Sequence, residues 1–584
     1  MKILFVGINA SYSHTCLSVR AICEYVKKNL DKSIILETAE FTINQPVGEI
    51  LRGIYTKQPD LVLFSTYIWN AEITAKIIPD IKKLLPSASI GAGGPEFGFA
   101  AEIYLKKLPE LDFIIYGEGE QTTLEIVRAM NQPGKDFRNI KGLYLRDECD
   151  LNGSCDSREN RKIVFTGERE LICDLAELPF PYPELLENNP NENKIYYYES
   201  SRGCPYSCAY CMSSLDKRVR FKPLELVYTE LQIFLDKNIP LVKFVDRTYN
   251  LKPERYISIW QYILQHHNGV TMFHFEIEAE FLTQEALDFL QSVPAGVMQF
   301  EIGVQSANKK SLDAVNRSTN IEKLAENVRQ IPRTIHQHLD LIAGLPFENL
   351  ESFGKSFDFV MSLTPDAIQL GFLKVLHGTQ MESYAKENGW QWMENPVYET
   401  FSTPYLPYKD VLFLKDVEIL ADAYWNSGVF AHTMKYIGRT LGFWNFFKLM
   451  TELGQQQGVF DAARRETFWF ELLAGNIDSL CNCKPTTGDM LNPGILYDLL
   501  RYDFLLRGKQ GNWPVWYKHI YDKNRHRQLL EDSGSLKNPR LDFGHSEYEV
   551  FSCDVDSLEP EKTVVKNTSE KYEKLIKYPS LING

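Results

Sequence analysis

The sequence predicts an α/β chain in three parts: a flavodoxin-like (Rossmann-type) doubly wound sheet, a (β/α)6-type barrel, and a mostly helical C-terminal domain. Two successive alternations of short apolar runs with amphipathic stretches predict the first two parts. A proline-rich connector divides them, and a change of texture after Glu382 marks the third.

Five runs open the chain: ILFVGI, SIILET, LVLFS, ASIGAGG and LDFIIYG, with helical stretches such as 16–30 and 71–85 between them. Short apolar runs bounded by turn residues and separated by helices read as buried strands of a parallel sheet. In such sheets ligands bind beyond the carboxyl ends of the strands. Those ends read INASYSH, STYIWN, GGPEFG and GEGE, rich in glycine and small polar residues. This unit is assigned to 1–170, and the connector, with LAELPFPYPELLENNPNEN, to 171–193.

From 194 to 385 the alternation resumes in IYYYES, VKFVDRTY, FHFEIEA, MQFEIGVQ, HLDLIAGLP and AIQLGFLKV. Six strands, most followed by a helix, predict a complete or partial barrel with its chemistry at the strand C-termini. The remainder, 386–584, is dominated by aromatic-rich helical patterns such as FWNFFKLMTELG and ILYDLLRYDFLLRG. It ends in a charged tail with one strand at EYEVFSCDV.

A chain of 584 residues is too long for one core, and 44% hydrophobic with 24% charged residues is a globular composition. A net charge of −14 argues against nucleic acid or an anionic membrane as the main partner. No run reaches the length of a membrane span. The start, MKILFVGINASYSHT, fits a buried first strand better than a signal peptide, since Asn9 cuts the apolar run short and no small-residue cleavage site follows. The expected location is the cytoplasm, where eleven cysteines are not a disulfide framework.

Three of those cysteines crowd into SSRGCPYSCAYCM: Cys204, Cys208 and Cys211, spaced C-x3-C-x2-C. Structural zinc takes four ligands, usually as two pairs, and no second pair stands near. Iron–sulfur cubanes are held by thiolates on short loops, and three protein ligands leave one iron open to an exogenous ligand. With Tyr210 before the third cysteine, the loop resembles that of the radical S-adenosylmethionine (radical SAM) superfamily. The resemblance implies a [4Fe–4S] cluster on the three cysteines, SAM chelated to the fourth iron, and a 5′-deoxyadenosyl radical that removes hydrogen from substrate. It also implies a reductant such as flavodoxin or ferredoxin.

FEIGVQSANKKSLDAVNR resembles the fourth-strand motif of the oxygen-independent coproporphyrinogen oxidase branch, with Gln305 and Ser306 inside G-V-Q-S. By that resemblance Gln305 contacts the SAM ribose, Arg317 pairs with the SAM carboxylate, Glu278 contacts the SAM amino group, and Asp340 holds the ribose hydroxyls. The Asn-Pro that follows the third-strand acid in that branch is absent after Glu278. Asp246 and Asn250, in VDRTYN, resemble the second-strand motif.

The first domain resembles the cobalamin-binding domains of cobalamin-dependent radical SAM enzymes. Ser65 matches the second element of their fingerprint, Gly93-Gly94 the third, and Gly117-Glu118-Gly119 fits the class. The first element, D-x-H-x-x-G, is missing; His14 is out of register and reads as a polar or helix-capping loop residue. INASYSHTCLSVR, FSTYIWN, FVDRTYN and LGFLKVLHGT together resemble a bacterial family of B12-binding radical SAM proteins with an extra C-terminal domain of unknown function. That likeness implies methyl transfer from cobalamin to an unactivated carbon. The alternatives are a radical rearrangement or cyclisation without methyl transfer, or a non-catalytic redox sensor.

Overall fold

The structure is a computed structural model that describes residues 1–584 apart from 31–32, 133–135, 147–161, 188–193, 485–489, 509–512, 520, 535–541, 544, 558, 561–571 and 579–584. The five apolar runs of the first domain are β1 (Lys2–Asn9), β2 (Ile35–Thr42), β3 (Leu61–Ser65), β4 (Ser89–Gly93) and β5 (Phe113–Ile115), parallel in the order β2-β1-β3-β4-β5. Strands buried on both faces need apolar residues at odd and even positions alike. In β1, Leu4, Val6 and Ile8 join the core under the helices Val47–Lys57 and Ala71–Leu84, while Ile3 and Phe5 join the core under Leu17–Lys28 and Gly119–Met130. Two further strands, β6 (Leu143–Arg146) and β7 (Ile163–Phe165), extend the sheet antiparallel beyond β5. They lie outside the predicted set.

The second domain is a six-stranded parallel sheet: β8 (Tyr196–Tyr198), β9 (Leu241–Phe244), β10 (Met272–Ile277), β11 (Met298–Gln305), β12 (His336–Ala343) and β13 (Ala367–Phe372). The strands stand in chain order from β8 at one edge to β13 at the other, so the barrel is partial. Trp260, Phe273, Phe275 and Phe300 fill the layer between this sheet and its helices.

The same core continues into the C-terminal helices. Gly354 permits this junction: a Cβ there would sit 2.3 Å from the Trp444 ring nitrogen, so only glycine lets the helices Leu350–Ser362 and Phe443–Gln456 approach so closely. The open edge at β13 is capped by one side chain. Asn426 donates to the Ile368 carbonyl at 2.8 Å and accepts from the Ile368 N–H at 2.9 Å, as a neighbouring strand would. Asn426 ends a π-helical turn, Asp422–Asn426, that follows the helix Tyr408–Ala421. In the charged tail the expected strand, Ser546–Phe551, pairs antiparallel with a second one, Tyr572–Lys577. Among the described residues no helix is long and apolar enough to cross a membrane.

Candidate active site

The C-terminal ends of the barrel strands meet at a cavity of about 200 Å³, lined by Cys204, Cys208, Cys211, Tyr210, Glu278, Gln305, Arg317 and Asp340. These residues come from the loop after β8, the ends of β10 and β11, the segment after the helix Lys309–Ala314, and β12.

The cysteine loop is pinned by backbone bonds. Ser201-Arg202 and Arg220-Phe221 pair antiparallel and close its neck. Gly203 has φ +92°, and a Cβ there would lie 2.3 Å from the Arg218 carbonyl, so the turn into Cys204 requires glycine. The Cys204 N–H donates to Asp216 O, the Ala209 N–H to Val315 O, and the Met381 N–H to Ala209 O, each at 2.9 Å.

Cys204 and Cys208 are buried and Cys211 is half-buried. Burial pushes the Cys208 thiol up, against the pull of Arg317. A thiolate held there is therefore best stabilised by a bound metal. Among the described residues no three potential ligands are gathered for a single metal ion. A cluster, in which each thiolate takes a different iron, suits three thiols spread around one cavity.

Opposite the cysteines, Arg317 donates to both carboxylate oxygens of Glu278, at 2.8 and 2.9 Å, and to the Gly303 carbonyl at 2.5 Å. Its Nε is buried with no hydrogen-bond partner. Burial alone would lower the guanidinium pKa, but Glu278 beside it raises it and keeps it charged. Glu278 is held from behind: its N–H donates to Asn250 Oδ1 and its carbonyl accepts from Asn250 Nδ2. Asp246 is a fully buried acceptor for the Ser200 N–H and the Ser200 and Ser201 hydroxyls. Both second-strand residues thus shape the floor of the cavity rather than line it.

Gln305 takes φ +67° at a bulge where the β11–β12 register slips between Gly303 and Gln305. Its amide folds back over Gly303, where a Cβ would stand 2.2 Å from it. The bulge turns the next residue away, so Ser306 does not line the cavity: its hydroxyl donates to Glu348 at 2.6 Å. Asp340 carries a buried oxygen with no hydrogen-bond partner, and burial raises its pKa well above the usual range, with Glu301 and Glu276 adding to the rise.

Glu276, Glu301 and Arg247 also line the cavity and were missed in the sequence. Glu276 and Glu301 are direct partners on neighbouring strands, and Lys243 stands 3.0 Å from Glu301 and 3.9 Å from Glu276. The signal was present: FHFEIEA and MQFEIGVQ alternate polar and apolar residues, which marks a polar lumen face.

The strand-end loops of the first domain pack against the barrel, and Glu120 bonds Arg202 at the neck of the cysteine loop. His14 hydrogen-bonds the Tyr197 hydroxyl and bridges to Ile195, so it is an interdomain contact and caps no helix. The Ser65 hydroxyl is 2.7 Å from that of Ser18. The close approaches at Gly93, Gly94 and Gly119 are to Ile115, to the Thr66 backbone and to Ile22, whereas Gly117, with φ +80°, faces open space. Glu118 is taken up by Arg220 at 2.8 Å and by the Ile172 N–H at 2.8 Å. Ser65 and Glu118 already have protein partners.

Fold and site together define a radical SAM enzyme with a B12-binding-type domain ahead of its barrel. Residues 3–127 match the B12 binding domain, 198–360 the radical SAM superfamily, and 386–572 the protein of unknown function DUF4080. The chain is a B12-binding-domain radical SAM protein with a DUF4080 domain at its C-terminal end.

A protein of Pyrococcus horikoshii, the uncharacterized methyltransferase PH0819, is 25% identical over 382 residues, which is 64% of this chain and 78% of its own length. The cobalamin-dependent radical SAM methyltransferase TokK of Streptomyces tokunonensis is 24% identical over 375 residues, 60% of this chain; the match spans 52% of TokK. The solved structure of the cobalamin-dependent S-adenosylmethionine radical enzyme OxsB, with aqua-cobalamin and S-adenosylmethionine bound, aligns over 92% of this chain and 81% of its own. Its TM-score is 0.59 and its identity 15%, a likeness of fold.

Proposed function

We propose that this chain is a cobalamin-dependent radical SAM methyltransferase that acts on an unactivated carbon of its substrate. The observation that carries this reading is the cavity in which three loop cysteines stand opposite a buried Arg–Glu pair, with a domain that matches the B12 binding domain packed on the neck of the cysteine loop. When bound, a [4Fe–4S] cluster on Cys204, Cys208 and Cys211 supplies the electron that cleaves SAM, and cobalamin supplies the methyl group.

The chain's own residues bind and orient. Arg317 offers a fork to the SAM carboxylate, and Glu278 offers an acceptor to the SAM ammonium. Gln305 and Asp340 lie on the same wall and suit the ribose hydroxyls. Asp340 enters with a buried oxygen that makes no hydrogen bond, His338 Nε2 standing 3.7 Å away, and a hydroxyl would satisfy it. The reading places the protein in the cytoplasm with a flavodoxin or ferredoxin as electron donor.

The test is anaerobic incubation of the reconstituted protein with SAM, cobalamin, a reductant and a metabolite extract of the cells that make it. Methyl transfer through a radical yields both S-adenosylhomocysteine and 5′-deoxyadenosine. 5′-Deoxyadenosine alone would point to rearrangement or cyclisation, and the absence of both would contradict an enzymatic role for the cavity.

A further inference from the structure

The neck of the cysteine loop carries an ionic cluster that the proposed chemistry does not use. Arg202 and Arg220 stand directly opposite each other across the two-residue antiparallel pair that closes the loop. Two guanidiniums in that position repel, and the pairing holds only if acids neutralise them. Four do. Glu199 bonds Arg202 at 2.8 Å and Asp216 bonds Arg220 at 2.6 Å, both from the barrel. The other two come from the first domain: Glu120 bonds Arg202 at 2.5 Å, and Glu118 stands 2.8 Å from Arg220 and 3.4 Å from Arg202.

The cluster is enclosed, since the Arg220 and Glu120 side chains are 8% and 4% exposed. It is also tied to the backbone. Glu118 accepts from the Ile172 N–H, and Arg220 donates to the Ile172 carbonyl at 2.7 Å. Cys204 lies two residues beyond Arg202, and its N–H is held by the carbonyl of Asp216, whose carboxylate is in the cluster. A shift of the neck is therefore a shift of Cys204.

We propose that Glu118 and Glu120, at the N-terminal end of the helix Gly119–Met130, are positioning residues through which the first domain sets the cysteine loop, so that the loop's hold on its cluster depends on the B12-binding domain. The inference rests on the reading that the three cysteines carry an iron–sulfur cluster. It gives the GEGE turn a task toward the barrel, which explains why Glu118 is bound to arginines of the other domain.

The experiment uses full-length, anaerobically reconstituted protein challenged with EDTA, with cluster loss followed by its visible absorbance and the reduced state by EPR. Glu118→Gln should lose the cluster roughly tenfold faster than wild type or more, as expected when one member of an enclosed, hydrogen-bonded charge pair is removed. Its EPR signal should shift or broaden. Glu118→Asp, which restores the charge, should recover most of the lost stability, and Arg220→Lys should fall between.

Glu125→Gln, further along the same helix, breaks an ion pair with Arg169 that stays within the first domain, and it should behave as wild type. A Glu118→Gln protein with unchanged EDTA kinetics and EPR would overturn the proposal. So would an equal effect in Glu125→Gln, or no recovery in Glu118→Asp. Wild-type protein that takes up no iron would instead remove the cluster reading, and this inference with it.

Discussion

Nη2 of Arg317 donates to both carboxylate oxygens of Glu278, at 2.8 and 2.9 Å, inside the cavity, and the proposed function gives these two side chains the opposite ends of SAM's amino-acid moiety. A zwitterion entering between them exchanges one buried ion pair for two. The guanidinium takes its carboxylate and the carboxylate takes its ammonium, so no charge is left unpaired. On the proposed reading, the pair is a template for a ligand carrying both charges.

Removing the arginine should be far more damaging than removing a nearby surface cation. Arg317→Ala leaves Glu278 buried without its partner, at a cost on the order of 2–5 kcal/mol in SAM binding. Lys309→Ala, at a helix position 87% exposed, should have little effect. Equilibrium dialysis with labelled SAM makes the comparison, and equal small losses in both variants would defeat the template.

The fully buried Glu348 accepts hydrogen bonds from Ser306 and Ser356, yet burial raises its pKa from 4.5 to about 7. A raised folded-state pKa contributes stability that is complete below the unfolded value and is lost as pH rises through the folded value. Wild type should therefore lose stability relative to Glu348→Gln between pH 4.5 and about 7, by an amount on the order of 2–3 kcal/mol. Urea midpoints of the two proteins at pH 4.5 and pH 8 measure this; parallel profiles would show that Glu348 ionises normally.

Asn426 supplies the hydrogen bonds a neighbouring strand would give to β13. Asn426→Ala strands the Ile368 N–H and C=O, at about 1–3 kcal/mol. Hydrogen exchange at the Ile368 amide should accelerate accordingly while exchange in β11 stays slow. Unchanged protection at Ile368 would show that the C-terminal domain does not cap this edge through Asn426.

His14 lies out of register with the D-x-H-x-x-G motif and bonds Tyr197 through Nδ1 in an interdomain contact, so it is not expected on cobalt. The EPR spectrum of cob(II)alamin bound to the protein should lack nitrogen superhyperfine splitting, and His14→Ala should leave it unchanged. Splitting that disappears in His14→Ala would mean that Nε2 of this ring is the ligand.

The parallel strands of both sheets were legible because their burial imposes a simple pattern: apolar runs between polar turns, on a background of helical periodicity. The cysteine loop was legible because three thiols so close together have few uses. Ser306 was misplaced for a physical reason. Motif spacing locates it along the strand, but the bulge at Gly303–Gln305 and the positive φ of Gln305 reverse which face it meets, and a one-residue change of parity moves a side chain to the other side of a sheet.

The arginine contacts of Glu118 were illegible for another reason. Its arginine partners lie about a hundred residues away in another domain, and a short GEGE motif carries no trace of them. The strand Tyr572–Lys577 was hidden by its charges, since only one of its side chains is buried.

The central claim is that Cys204, Cys208 and Cys211 hold one iron–sulfur cluster that cleaves SAM, and the direct measurement is made on wild type and on the variant with all three changed to Ala. Wild type, reconstituted anaerobically, should carry about four irons per chain on these three thiolates, show the EPR signal of a reduced cubane, and form 5′-deoxyadenosine from SAM once reduced. The triple variant should lose the iron, the signal and the product together. About four irons persisting in the triple variant, or a loaded wild type that leaves SAM intact after reduction, would contradict the account.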